Sequence, residues 1–312
     1  MSARAWIAFG SVSVLWGIPY LFSKSVVDDG VPPAFLAWAR VTLAAAVLLG
    51  ICWRLGLLQQ LRGHGRWLVI YAVIEIVVPF PMIAGAEQRI SSSLAAILIA
   101  SVPLIVAVLA IRFDPTERVH GRRLIGLLIG FAGVITLVGI DVAGNSRELL
   151  GAGMIFVAAL GYAAGPMILG RQLSEIDPRA LMAGALSIAA VILTPAAIIA
   201  PPAGTPSAGT LAALVFLGLV CTALAFVLFA TLIGEVGAGR ASVITYVAPV
   251  VAVAAGIAFL DERPGAGSIA GLLLIIAGSW LSTDGRLPPG LEAARVRAGD
   301  RVLRRRRALG ES

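Results

Sequence analysis

A single glutamate, Glu75, interrupts a long apolar run at positions 66–86. It lies about nine residues into that run, roughly 14 Å at the helical rise per residue. In a hydrocarbon solvent a carboxylate at that depth is costly and faces a cavity or a partner. Pro79 follows four residues later and has no amide hydrogen to return to the Glu75 carbonyl. Carboxylate and freed carbonyl together make a candidate proton or cation site. No other carboxylate is expected at comparable depth. Arg40 lies about seven residues, roughly 10 Å, inside the second apolar run. Its planar fork suits a substrate carboxylate or phosphate. The structural alternatives are an Arg40–Glu75 ion pair, or an Arg40 that satisfies helix-end carbonyls.

Four aromatics, Trp16, Tyr20, Tyr162 and Tyr246, also fall inside apolar runs. Aromatic walls with hydroxyl handles suit flat or amphipathic organic solutes, and plain packing accounts for each of them equally well. Pro103 and Pro249 occupy matching places in two runs and free the carbonyls of Ile99 and Thr245 one turn back. Pro19 and Pro166 do the same to Leu15 and Tyr162, so these four prolines are candidate hinges. The two histidines, His64 and His120, fall between runs, and Cys52 and Cys221 fall inside them as small buried residues. This leaves no basis for a catalytic dyad, a metal-ligand set or a cofactor. An intramembrane enzyme would need a pair of reactive groups facing one another at depth. The absence of a Gly-Lys-[Ser/Thr] phosphate loop excludes ATP hydrolysis by this chain.

The elements that must position these residues are set by composition. The 312 residues are 59% hydrophobic and 13% charged, with a mean hydropathy of +0.96. A soluble domain carries about 25% charged residues. Apolar stretches long enough to cross a bilayer recur along the length, without strand-like alternation. The expected fold is an all-α polytopic membrane protein. Ten spans fit, at about 5–25, 33–53, 66–86, 92–112, 122–141, 148–170, 179–200, 209–233, 239–259 and 266–283. The first is read as a span rather than a cleaved leader, because the run is long and lacks a small-x-small cleavage site. Spans this closely spaced leave no room for a soluble catalytic domain.

The spans also repeat. Pro103 precedes Pro249 by 146 positions, and Glu117, Gly126 and Gly133 precede Glu262, Gly271 and Gly278 by 145 each. Four markers in one order at nearly constant spacing are a duplication. The reading is a first five-helix repeat over 1–141, a second over 148–283 and a basic tail over 284–312. Five is odd, so the second repeat enters the membrane from the opposite face. An inverted repeat is the architecture of many secondary transporters, with substrate bound near the midplane. Nineteen of the 24 Lys and Arg residues fall on one side, which makes both termini cytoplasmic. Arg295, Arg297, Arg301 and Arg304 to Arg307 crowd the tail, which either holds anionic lipid or acts as a topology signal. That charge flanks membrane spans rather than forming a folded basic face, so nucleic acid is not an expected partner. Gly126-x-x-x-Gly130 and Gly267-x-x-x-Gly271 permit close helix approach, within the chain or in a homodimer.

Together these residues resemble the drug/metabolite transporter superfamily, and within it the EamA-like ten-helix group. The likeness rests on Leu15-Trp16-Gly17 with Lys24 and on Leu36-Ala37-Trp38-Ala39-Arg40. It rests further on the Pro103 and Pro249 helices, Glu262-Arg263-Pro264 and the Gly-rich fifth and tenth spans. It covers about residues 5–283. Two places depart from the pattern: Asp114-Pro115-Thr116 before Glu117-Arg118, and Tyr162-Ala163 where Trp-Ala is expected. The resemblance implies export of a small organic metabolite, amino acid or drug-like compound across the inner membrane. A membrane-embedded sensor or scaffold without flux is the alternative.

Overall fold

A computed structural model describes residues 3–113, 121–236 and 244–282. Every regular element among them is helical. Eight helices are long and apolar enough to span a bilayer: α1 Arg4–Asp28, α2 Pro33–Arg54, α3 Gly65–Glu87, α4 Ser92–Leu109, α5 Leu124–Val142, α6 Ser146–Leu173, α7 Pro178–Ile199 and α8 Ala208–Ile233. Two shorter apolar helices follow, α9 Ile244–Phe259 and α10 Ala266–Leu281. The first eight fall within a few residues of the expected spans. The ninth expected span starts at 239, outside the described residues. So do Glu117 and Arg118, Arg240 and the basic tail.

Local sequence explains where the helices start. Ser91, Asn145, Asp177 and Ser207 each accept a first-turn amide at the head of α4, α6, α7 and α8. Pro33 and Pro178 occupy the first turn of α2 and α7, where a missing amide hydrogen is harmless. Ile7, Ile135, Val191, Ile198 and Leu273 stay exposed on the outside, as an apolar solvent would require.

The largest buried cluster joins α2, α3 and α7 through Val41, Leu48, Ile76, Leu181 and Leu186. A second joins α3, α4, α5, α6 and α10 through Ala86, Ile97, Leu137, Ile155 and Ile275. The tightest helix pair is α5 with α10, and small residues allow it. A Cβ on Gly133 would stand 2.8 Å from the Cβ of Leu274, and one on Gly271 would stand 2.7 Å from that of Leu137. Glycine at these positions serves contact within the chain.

The helices run alternately between two ends. At the near end α1 begins and α10 finishes, and at the far end α3 finishes and α4 begins. Polar contacts stitch the far end across the repeats. Glu262, between α9 and α10, accepts from the Ser92 amide at 2.7 Å, the Ser93 amide at 3.0 Å and the Ser93 hydroxyl. Asp141 at the end of α5 accepts from the Ser268 amide and hydroxyl, both at 2.6 Å, and from the Gly267 amide at 3.2 Å. Both carboxylates neutralise the positive end of a helix from the other repeat.

The four prolines do not act alike. α1 is interrupted at Ile18, just before Pro19. α4 is interrupted at Ala100 and Ser101, just before Pro103. Pro166 and Pro249 instead sit inside continuous helices. A void of about 30 Å³, lined by Leu98, Ser101, Leu104 and Ile105 among others, adjoins the break in α4. The prolines share a carbonyl-freeing chemistry, and their surroundings decide whether the helix parts.

Candidate functional site

Glu75 does not sit in an ordinary helical turn. Residues Val73–Val77 of α3 form a π-helical turn, closed by the Val78 amide on the Val73 carbonyl at 3.0 Å. Such a turn widens the helix and recurs at functional places. Two glycines of α6, one turn apart, face it. Gly161 lies against the Ile74 carbonyl and Pro79, and Gly165 lies against the Glu75 carboxylate. A side chain at Gly161 would strike the Ile74 backbone, whereas one at Gly165 would displace the Glu75 carboxylate. Glu75 is half-buried. Its Oε2 is sealed from solvent and has no hydrogen-bond partner. An unsatisfied carboxylate oxygen in an apolar surround carries a free-energy cost that a proton or cation would remove. Tyr71 and Tyr162 lie within electrostatic reach of it.

Arg40 makes no ion pair with Glu75. Its Nε donates to Thr222 Oγ1 at 2.7 Å, and its guanidinium carbon stands 4.6 Å from the centroid of the Phe80 ring. Thr222 belongs to another π-helical turn, Leu219–Leu224 of α8, and its hydroxyl donates to the Leu217 carbonyl at 2.8 Å. The guanidinium is therefore held by neutral groups, a hydroxyl and an aromatic face. Its charge stays available to an anionic ligand.

The expected aromatics divide. Tyr162 and Tyr20 lie near the charged groups, with Arg40 in electrostatic reach of both. Trp16 instead packs on Phe226 and Phe229 of α8, at centroid distances of 5.6 and 4.7 Å. Tyr246 donates to the Ser279 carbonyl at 3.2 Å and ties α9 to α10. Tyr20 and Tyr162 thus lie within electrostatic reach of Arg40, whereas Trp16 contacts rings of α8 and Tyr246 contacts α10.

Burial singles out a further carboxylate, at the end of the span rather than at the depth of Glu75. Glu87, the last residue of α3, is 0% exposed, and neither of its oxygens meets a partner at hydrogen-bonding geometry. The expected span stopped one residue short of it. The signal was present, since Ala84-Gly85-Ala86 continues the small apolar pattern up to Glu87. Thr222 and Phe80 left no such signal, because neither stands out among apolar neighbours. No cluster of three metal-ligating side chains occurs among the described residues.

Comparison with known proteins adds the family. The EamA-like transporter family matches residues 4–139 and again residues 149–283. A protein of Escherichia coli K12 named "Probable amino-acid metabolite efflux pump" is 25% identical over 287 residues, covering 88% of this chain and 93% of its own. The "Uncharacterized inner membrane transporter YedA" of the same organism is 32% identical over 264 residues, 80% of each chain. A solved crystal structure shares the fold at a TM-score of 0.65 and 20% identity, covering 92% of this chain and 98% of its own. Two family matches in tandem, on an all-helical apolar chain, place the protein in the EamA-like transporter family.

Proposed function

We propose that the chain is a secondary active transporter of the inner membrane that exports a small organic metabolite by alternating access, coupled to protons at Glu75. The observation that carries this reading is the Glu75 carboxyl. One oxygen is sealed and unpartnered, on a widened turn halfway along α3, in contact with a glycine of another helix. A group so placed changes state when a proton arrives or a neighbouring helix moves. Arg40, held by Thr222 and Phe80, is the anchor for a substrate carboxylate. With Tyr20 and Tyr162 nearby, that favours a small anionic or zwitterionic solute, in keeping with the named efflux pump among the relatives. Ten spans in two inverted repeats, with both termini cytoplasmic, supply the architecture. Pro19 and Pro103 are the stronger hinge candidates, because their helices already part there.

The test uses purified protein in liposomes, with amino acids and their metabolites first ranked by the rise they cause in melting temperature. Glu75→Gln should abolish net transport driven by a pH gradient, by about tenfold or more, equivalent to at least about 1.4 kcal/mol. Exchange of substrate across the membrane should survive, because it needs no net proton movement. A stable variant with full gradient-driven transport would refute the coupling role. A protein that binds these solutes but moves none of them would be a sensor rather than a transporter.

A further inference from the structure

We infer that a proton on Glu75 ties α3 to α6, because the protonated carboxyl donates to the Tyr162 carbonyl that Pro166 leaves without a donor. The inference rests on the reading of Glu75 as the coupling carboxylate and says what the proton does there. Contact between the carboxyl and α6 is direct. Glu75 Oε2 occupies the space of the absent Gly165 Cβ, and the Glu75 Cδ and Cβ lie 3.0 and 3.5 Å from that point. An oxygen held near the β-position of a helical residue reaches the carbonyl three or four residues back, as serine and threonine hydroxyls do. Counted from Gly165, those carbonyls belong to Tyr162 and Gly161. The Gly161 carbonyl has the Gly165 amide as its helical donor. The Tyr162 carbonyl has no such donor, because residue 166 is a proline inside a continuous helix.

Oε2 is sealed and meets no donor. A carboxylate oxygen and a carbonyl oxygen are both acceptors, so they repel at contact unless a proton lies between them. Proton uptake forms one O–H bond at Oε2, removes the negative charge and turns that repulsion into a hydrogen bond. No electron moves. Of the two carboxyl oxygens only Oε2 is sealed, which leaves Oε1 as the side open to proton exchange. The titratable groups that face the carboxyl are two phenols, Tyr71 of α3 and Tyr162 of α6. Arg40 of α2 is held at Thr222. The other helix packed on this turn, α7, has Arg179 as its one titratable residue, and that pairs with Asp177 at 2.7 Å. The charges nearby are thus directed elsewhere. α3 lies in the first family match and α6 in the second, so the bond joins the two repeats. Loss of the proton releases α6 from α3 at mid-span, a change that alternating access can use.

Infrared difference spectroscopy of the purified protein in lipid, stepped in pH, reads a buried carboxylic acid directly and needs no substrate. Glu75→Gln should remove one carboxylic C=O band and so assign it. Pro166→Ala gives the Tyr162 carbonyl an amide donor, and the Glu75 band should move to higher frequency as its own hydrogen bond weakens. Tyr162→Phe keeps the carbonyl and loses the phenol, so the band should stay in place. A band unmoved by Pro166→Ala, or moved by Tyr162→Phe, overturns the inference and leaves Glu75 as a proton site without this bond. Should Pro166→Ala not fold, protein isotope-labelled at its tyrosine carbonyls reads the same contact. The pH step should then shift one labelled amide band, and Tyr162→Phe should abolish that shift. A labelled spectrum without the shift also overturns the inference. A Glu75→Gln spectrum that retains every carboxylic band instead refutes proton binding at Glu75, and the coupling reading with it.

Discussion

Of the four π-helical turns among the described residues, Val73–Val77 in α3 and Leu219–Leu224 in α8 begin 146 residues apart, the same interval that separates Pro103 from Pro249. They are the same turn in two copies. At that interval Glu75 corresponds to Cys221, and Ile76 corresponds to Thr222. The backbone irregularity is shared, and the side chains on it are not. One copy presents a carboxyl oxygen without a partner. The other presents a hydroxyl that is fully engaged and steadies Arg40. The duplicated turn is therefore a scaffold that tolerates different chemistry. Divergence placed a chargeable group on one copy of the turn and the hydroxyl that holds Arg40 on the other.

The glycines facing the first turn give the sharpest way to break this comparison. A Cβ at Gly161 would strike the Ile74 backbone carbonyl, which cannot move without moving α3. Gly161→Ala should therefore destabilise by about 1–3 kcal/mol, seen as a lower melting temperature. An unchanged melting temperature would mean that the turn is not pressed between the helices.

The second turn gives the next effect. Thr222→Val removes the acceptor for Arg40 Nε and leaves that charged donor unsatisfied, at about 1.5–3 kcal/mol. Thr222→Ser retains the hydroxyl and should stay close to wild type. If the two variants melt together, Thr222 does not hold Arg40.

Gly165→Ala should be milder in stability and stronger in function. Its Cβ meets the far end of the Glu75 side chain, which can swing away, rather than backbone. The expected result is a melting temperature close to wild type with gradient-driven transport impaired. A large loss of stability would instead make Gly165 a packing residue like Gly161.

The smallest effect lies outside both turns and serves as a pH control. Asp177 heads α7, and Arg179 donates to it at 2.7 and 3.0 Å. This side-chain bonding by Arg179 holds the Asp177 carboxyl below the usual carboxylate range. A depressed folded-state value stabilises above the unfolded value of about 3.9 and loses that contribution as pH falls through the folded value. Asp177→Asn should therefore cost no more than about 1 kcal/mol at neutral pH, and the difference should vanish in strong acid. A difference that persisted there would point to helix capping rather than charge.

The prolines show how far a repeated sequence constrains a repeated structure. Pro103 and Pro249 stand at one interval and free equivalent carbonyls, yet α4 parts and α9 does not. In α4 the Leu98 carbonyl at the break accepts both the Ser101 amide at 3.1 Å and the Ser101 hydroxyl at 2.6 Å. The equivalent position in α9 is Val247, which offers no such bond. Local chemistry of this kind is legible once the break is known, but it does not announce the break.

The sequence by itself determined the solvent, eight of the expected spans and the duplication. Hydrophobic run length and marker spacing are one-dimensional properties, and a bilayer accepts few backbones. It also singled out Glu75 and Arg40, because a charge inside an apolar run is conspicuous in any register. Tertiary structure alone decided that these two do not pair, that Thr222 and Phe80 hold Arg40, that Trp16 packs on Phe226 and Phe229, and that Tyr246 donates to Ser279. The reason is geometric. Partners in these contacts lie up to 182 positions apart, as Arg40 and Thr222 do. A π-helical turn also rotates every residue after it, so helical periodicity read along the chain loses the face at the place where the chemistry sits.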